Sequence, residues 1–187
     1  MSVIVPLLGG GLGAKCDLHF EAQVAALARA ARRPVKLVFS RREEFVAPDK
    51  RREGIVYDFQ TGVKNDGTIT AREARSILDT GAHATHGAEV IMVHGLFGVV
   101  FPYRCPNKKW EGFTVYTNNM IGGGFRGYGC PQGCFAVESQ IDEICEQLKL
   151  DPIEFRRKNA WHAGEPHPMI PGLKLDSYAF DECLHSG

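Results

Sequence analysis

From Gly122 to Gly133 the chain reads GGGFRGYGCPQG, six glycines in twelve residues. Glycine at this density lets the main chain adopt angles and approaches that a side chain forbids, yet Phe125, Arg126 and Tyr128 are not residues of a mobile linker. The backbone here must come close to something. A second run, Gly9 to Gly13 followed by Ala14 and Lys15, stands near the other end of the chain. Each run lies between an apolar segment and a stretch with helical spacing. A strand that empties through glycines into a helix N-terminus offers unpaired N–H groups and a positive dipole end, a setting that favours anions.

The pattern between the loops is informative. Val3 to Leu8 reads as a short buried strand, and Phe20, Val24, Leu27 and Ala31 recur at helical spacing, predicting a helix over residues 18–32. RPVKLVF, from Arg33, reads as a second buried strand. Residues 52–80 change to period two, with Ile55, Tyr57, Phe59 and Val63 on one face of a hairpin closed at Asn65-Asp66-Gly67, and Ile69, Ala71 and Ile77 on the returning strand. The Gly- and His-rich stretch from Thr80 to Pro106 is expected to be helical around Glu89 to Gly98. EGFTVYTN, from Glu111, reads as a strand entering the second loop. Pro131 suits the first turn of a helix whose apolar stripe includes Cys134, Val137, Ile141, Ile144, Cys145 and Leu148. DPIE, with Asp151 as cap and Pro152 at the first helical position, starts another helix ending near Asn159. A last helix is expected from about Ser177. The fold class is therefore α+β, with mixed or antiparallel sheet elements and flanking helices.

The chain has 187 residues, with 22 Lys+Arg balanced by 22 Asp+Glu. This length buries roughly two thirds of its unfolded surface without staples. Zero net charge supplies no long-range attraction to nucleic acid or an anionic membrane, so any anion site is local. No apolar run is long enough to span a bilayer and no signal-peptide pattern opens the chain, which places the expectation in the cytoplasm. The six cysteines carry no CxxC and read as reduced thiols. Neither Cys130 with Cys134 nor His83 with His86 comes with the further ligands of a closed metal site.

Gly9, Gly11 and Ala14 match the relaxed dinucleotide fingerprint G-x-G-x-x-A, and Ser40-Arg41-Arg42 follows the second predicted strand where an NADP phosphate would be read. An NADP-binding module on the first loop is thus one reading, although a hairpin follows instead of another βαβ unit. A P-loop is excluded, because Ala14 and Cys16 replace the second glycine and the magnesium-binding hydroxyl. In the second loop Arg126, set among glycines, can approach a planar or anionic ligand through two N–H groups.

LLGGGLGAK, ARRPVKLVFSRREEF, LDTGAHA, PYRCPN and GGFRGYGCPQGCFAVESQID occur in this order along nearly the whole chain. Together they resemble the molybdenum-binding large subunit of the xanthine dehydrogenase, aldehyde oxidase and carbon monoxide dehydrogenase family. The resemblance implies a molybdopterin cofactor, often the cytosine dinucleotide in bacteria, whose dithiolene holds the molybdenum with no protein ligand to the metal. It also implies iron–sulfur clusters and FAD on partner subunits or domains. Gly11, Leu12 and Gly13 are implied on one side of the cofactor, and Gly124, Phe125, Arg126 and Gly127 on the other. Tyr128 is implied to face substrate.

Cys16 and His94 fall where purine-oxidising members place a glutamate and an arginine, so the resemblance points to an aldehyde or N-heteroaromatic substrate. Gly127 falls where the carbon monoxide enzymes carry the cysteine of a copper-bridged site, which speaks against that chemistry. A reductive member acting on an aromatic acyl-CoA thioester, of the 4-hydroxybenzoyl-CoA reductase type, is the alternative within the family. The family's general-base glutamate has no counterpart among these residues. Residues 1–187 therefore read as a fragment of the molybdopterin-binding domain, without catalysis of its own, whose partners are the rest of the large subunit and a small-molecule substrate. Apolar surface left uncovered on such a piece would favour self-association.

Overall fold

The computed structural model describes residues 4–18, 20–46 and 50–186. Its centre is a three-stranded mixed sheet in the order β1-β2-β3. β1 (Ile55–Val63) and β2 (Ile69–Gly81) form the predicted antiparallel hairpin, and Gly67 N–H donates to the Lys64 carbonyl (2.8 Å) within its turn. β3 (Asn107–Tyr116) lies parallel to β2. Parallel neighbours need a crossover, and here it is α3 (Gly87–Val93) running into a π-helical segment, His94–Val100.

The helices follow the sequence closely where both capping and periodicity are strong. α4 (Cys130–Leu148) has Pro131 in its first turn, buries Val137, Ile141 and Cys145, and ends with Lys149 in the left-handed conformation. α5 (Pro152–Asn159) is capped by Asp151, whose carboxylate accepts from the N–H groups of Ile153 (2.8 Å) and Glu154 (2.9 Å). α6 spans Phe180–Ser186. The main core lies between α4, the sheet and the π-helical segment, and contains Ile69, Ala74, Val99, Tyr103, Val137 and Ile141. Gly98 and Gly133 bring the π-helical segment and α4 together, since a Cβ on Gly133 would lie 2.9 Å from the Cα of Gly98.

Expectations near the start of the chain differ from the structure. Residues 4–8 and 34–39 are not strands; an extended apolar segment becomes a strand only against a ladder partner, and none pairs with them among the described residues. Ile4, Leu7 and Val38 are exposed accordingly, and Val3 lies outside the described residues. Helix α1 (Glu21–Ala31) forms, with Arg32 left-handed at its end, but it has no buried residue and Leu27 is exposed. Just before it, the Phe20 ring stands edge-on to that of Phe39.

In β2 the buried set is Arg72, Ala74, Ser76, Leu78 and Thr80, the opposite parity to Ala71 and Ile77. An irregularity in the ladder beside Gly62 and Val63 shifts the register, so Ile69 and Leu78 are both buried although their spacing is odd. Ser76 and Arg72 are engaged, whereas Arg72 Nη2 and Thr80 Oγ1 have no hydrogen-bond partner among the described residues. Ser76 Oγ receives Trp110 Nε1–H (3.3 Å) and lies 3.0 Å from His94 Nε2, and Arg72 donates to the Val99 carbonyl (3.4 Å).

Asn159 joins the hairpin turn to α5. Its Oδ1 accepts from Ile69 N–H (3.0 Å), and its amide donates to the carbonyls of Gly67 (2.9 Å) and Phe155 (2.9 Å). Asn159→Ala leaves buried backbone groups unpaired and should cost about 3 kcal/mol. Urea unfolding measures this, and a loss below about 1 kcal/mol would show that water replaces the amide readily.

Candidate functional site

The two glycine loops meet through their main chains. Gly13 (φ +100°) lies so close to Gly124 that a Cβ on Gly13 would overlap the Gly124 carbonyl. In the first loop Leu12 is left-handed (φ 54°), Ala14 N–H donates to the Gly11 carbonyl (2.9 Å), and Lys15 Nζ returns to the Gly10 carbonyl (2.7 Å). In the second, Gly127, Tyr128 and Gly129 all have positive φ (88°, 48° and 93°). For tyrosine this conformation costs on the order of 1 kcal/mol. Such strain is retained where the surroundings impose it.

Gly122, Gly123 and Gly124 are buried, whereas Phe125, Arg126 and Gly127 are exposed. Among the described residues the N–H groups of Phe125, Arg126 and Gly127 have no acceptor, and the Arg126 guanidinium has no ion-pair partner. Tyr128 and Cys16 flank the junction: a Cβ on Gly124 would lie 3.0 Å from Tyr128 Cε2 and 3.6 Å from Cys16 Sγ. The Tyr128 hydroxyl is 2.6 Å from His86 Nδ1.

The sequence reading missed the strip Lys50-Arg51-Arg52-Glu53, which supports the second loop from below. Arg51 pairs in parallel with Gly122, receives Gly123 N–H (3.3 Å), and forms an ion pair with Asp79 (2.6 Å). The Arg52 guanidinium lies 4.5 Å from the centroid of the Phe125 ring and donates to the Arg126 carbonyl (2.7 Å) and to Gln132 Oε1 (3.0 Å). Lys50 and Glu53 fill the space beside Gly123 and Gly122, where a Cβ would meet their side chains at 2.8 and 2.5 Å. The available signal was the run of three basic residues ending in an acid just before the hairpin, a pattern that ordinarily marks a solvated surface.

His94, expected on the substrate side, is fully buried. Its Nδ1 lies 3.1 Å from the Gly129 carbonyl and its Nε2 meets Ser76, so it braces the second loop from the sheet and faces no opening. Burial lowers its pKa, and the neutral ring donates from Nδ1 to Gly129 and accepts from Ser76. The pair Arg41-Arg42, expected to read an NADP phosphate, begins α2 (Arg41–Val46). Ser40 and Glu43 form a reciprocal cap there, with Ser40 N–H donating to Glu43 (2.8 Å) and Glu43 N–H to Ser40 Oγ (3.3 Å), while Arg41 pairs with Glu44. With no strand before Gly9, the βαβ frame of a dinucleotide site is lacking among the described residues. Two surface depressions of about 460 Å³ lie elsewhere, one beside the hairpin turn and α5, the other beside Lys108 and Trp161.

A mixed sheet with a helical crossover, carrying two glycine loops that meet at one end, defines a domain built to receive a ligand against bare backbone. The family model for the molybdopterin cofactor-binding domain matches residues 1–160, and the chain belongs to that family. It is 37% identical over 186 residues to the putative xanthine dehydrogenase molybdenum-binding subunit XdhA of Escherichia coli (strain K12), covering 99% of this chain and 24% of the relative. It is 35% identical over 161 residues to the aldehyde oxidoreductase of Megalodesulfovibrio gigas, covering 86% of this chain and 18% of that one. The solved aldehyde oxidoreductase from Desulfovibrio gigas superposes with a TM-score of 0.79 at 31% identity, over 96% of this chain and 20% of that chain. A Cu,Mo-CO dehydrogenase shares the fold, with a TM-score of 0.75 at 20% identity. The chain thus spans a quarter or less of the length of these relatives.

Glu53 is 3% exposed and its Oε1 has no hydrogen-bond partner among the described residues. Burial raises its pKa from 4.5 to about 7. Below pH 4.5 the carboxyl is protonated folded or unfolded; between 4.5 and 7 only the unfolded chain releases the proton; above 7 the burial penalty is complete. Glu53→Gln should therefore stabilise the chain at pH 8 by up to about 3 kcal/mol and have little effect at pH 4. Thermal unfolding at the two pH values decides it, and equal shifts at both would show that Glu53 is solvated.

Proposed function

We propose that this chain is the molybdopterin-cradling segment of a molybdenum hydroxylase that oxidatively hydroxylates an aldehyde or an N-heteroaromatic compound. The supporting observation is the main-chain junction of Gly13 with Gly124, which turns two glycine loops into one cradle. The residues present fit such a cofactor. Gly11, Leu12 and Gly13 offer backbone on one side, and Gly124, Phe125, Arg126 and Gly127 on the other, with free N–H groups and an unpaired guanidinium for anionic oxygens. Among the described residues no group of three or more His, Cys, Asp or Glu side chains could hold a metal ion. When bound, the cofactor supplies the two-electron redox chemistry, and the protein supplies position and polarity.

The chain's own residues then set the surroundings. Cys16 and Tyr128 form the substrate side, with a small thiol at a position suited neither to pairing with nor to repelling a charged purine. His94 and the Lys50–Glu53 strip hold the second loop in register. Gly127 supports the reading against a copper-bridged site, because its φ is +88° and a Cβ would lie 2.5 Å from Pro131 Cγ, so a cysteine there is strained on both counts. Residues 1–187 form part of one domain of a larger subunit, working with iron–sulfur and flavin partners in the cytoplasm. No helix among the described residues is long and apolar enough to cross a membrane. The cofactor is molybdopterin or its cytosine dinucleotide.

The test is to purify the large subunit containing this chain with its partners, measure co-eluting molybdenum and pterin, and assay aldehydes, N-heterocycles, aromatic acyl-CoA thioesters and xanthine. Stoichiometric pterin and turnover of the first two classes are expected; turnover of xanthine alone would overturn the substrate assignment. Gly13→Ala, which forces the loops apart, should lower pterin retention about tenfold or more with the rest of the fold intact by circular dichroism. Unchanged retention would mean that the junction is not the cradle.

A further inference from the structure

We propose that His86 is a positioning residue that, with Asp17 and Lys50, fixes the Tyr128 hydroxyl as a hydrogen-bond acceptor beside the junction of the two loops, so that the site favours substrates presenting an N–H or O–H donor. The inference rests on the reading of the joined loops as a cofactor and substrate site. His86 immediately precedes α3, which brings its ring between the loops. Its Nδ1 is 2.6 Å from the Tyr128 hydroxyl and its Nε2 is 3.4 Å from Asp17 Oδ2. Asp17 also receives the ammonium of Lys50, whose side chain is 6% exposed. A chain of polar groups thus runs from the buried Lys50, through the end of the first loop, to the aromatic residue of the second.

The chemistry of each group sets the direction of the hydrogens. The Lys50 contact holds the Asp17 carboxyl below its ordinary pKa, so Asp17 is ionised and can only accept. At 3.4 Å Nε2 and Asp17 Oδ2 make no hydrogen bond, but the carboxylate favours the tautomer that turns an N–H toward it over one that turns a lone pair, so Nε2 carries the hydrogen. In a neutral ring Nδ1 is then bare and accepts, and the Tyr128 O–H is donated to it. The phenol oxygen is left with lone pairs. Burial and then nearby Glu89 on α3, Cys16 on the first loop, Glu53 on the supporting strip and Asp17 raise the Tyr128 pKa, so the phenol stays protonated at neutral pH. None of these neighbours is a strong donor that would compete for the oxygen. A ligand carbonyl placed there meets lone pairs, whereas an N–H or O–H finds a partner.

Two measurements test the assignment. In the large subunit containing this chain, ring ¹⁵N spectra of histidine, with His86 assigned through His86→Asn, should show the Nε2–H form, and Tyr128→Phe should move the His86 Nδ1 resonance. An Nδ1–H form at neutral pH, or a His86 signal indifferent to Tyr128→Phe, would overturn the proposal. In the cofactor-loaded enzyme, substrate pairs differing only in a donor beside the reacting carbon provide the second measurement. Tyr128→Phe and His86→Phe should each lower kcat/KM about tenfold for the donor-bearing member alone, with the double variant no worse than Tyr128→Phe. His86→Asn, whose amide oxygen accepts from Tyr128, should recover part of the loss. Additive losses, or equal losses on both members of a pair, would show that His86 acts only through the fold. A wild-type enzyme without pterin would sink the proposed function, and the nitrogen spectra would still decide His86.

Discussion

The site depends on one contact between peptide groups, that of Gly13 with the carbonyl of Gly124. Main chain meets main chain only where neither side carries a Cβ, and positive φ at Gly13 and Gly127 is reached without penalty only by glycine. A cradle made this way has donors at fixed places and little side-chain entropy to lose when a ligand arrives. Its weakness is that nothing within a glycine loop holds it in shape. The stiffness comes from outside: from Arg51 and Arg52 below the second loop, from His94 behind Gly129, and from α4, which begins where the loop ends.

Such support explains part of the polar face of the sheet. Ser76, Thr80 and Arg72 occupy positions where an aliphatic core would serve packing equally well. Ser76 instead relays between Trp110 and His94, and His94 reaches the Gly129 carbonyl. Buried polar networks of this kind fix geometry when their members are satisfied. Asp79, at the end of the same strand, accepts from Arg51, Thr117 and Asn119, and so anchors the segments on either side of the second loop.

Much of this was legible in the sequence where local signals agree. The DPIE cap, the stripe of α4 and the NDG turn each combine periodicity with the matching terminus chemistry, and the elements formed as read. Ser40-Arg41-Arg42-Glu43 carries an equally local signature, the S-x-x-E capping box, and forms that cap. Other features depend on partners distant in the chain. The apolar runs at 4–8 and 34–39 look like strands until one asks what they pair with, and the parity of β2 was misread because one irregularity beside Gly62 inverts every assignment beyond it. The two loops were visible, as was their relation to a family. The four residues that hold the second loop and the burial of His94 were not, because a charged run and a lone histidine look alike on a surface and in a core.

The parallel pairing of β2 with β3 has a mechanical consequence. It obliges the chain to cross the sheet, and the crossing piece carries His86 before its first turn and His94 at the start of its π-helical segment. One histidine touches Tyr128 and the other touches Gly129, adjacent residues of the second loop. The crossover is thus a lever gripping that loop at two points. Any slide of it along the sheet would move the phenol and the carbonyl together, so the two ends of the crossover act on the loop as one body.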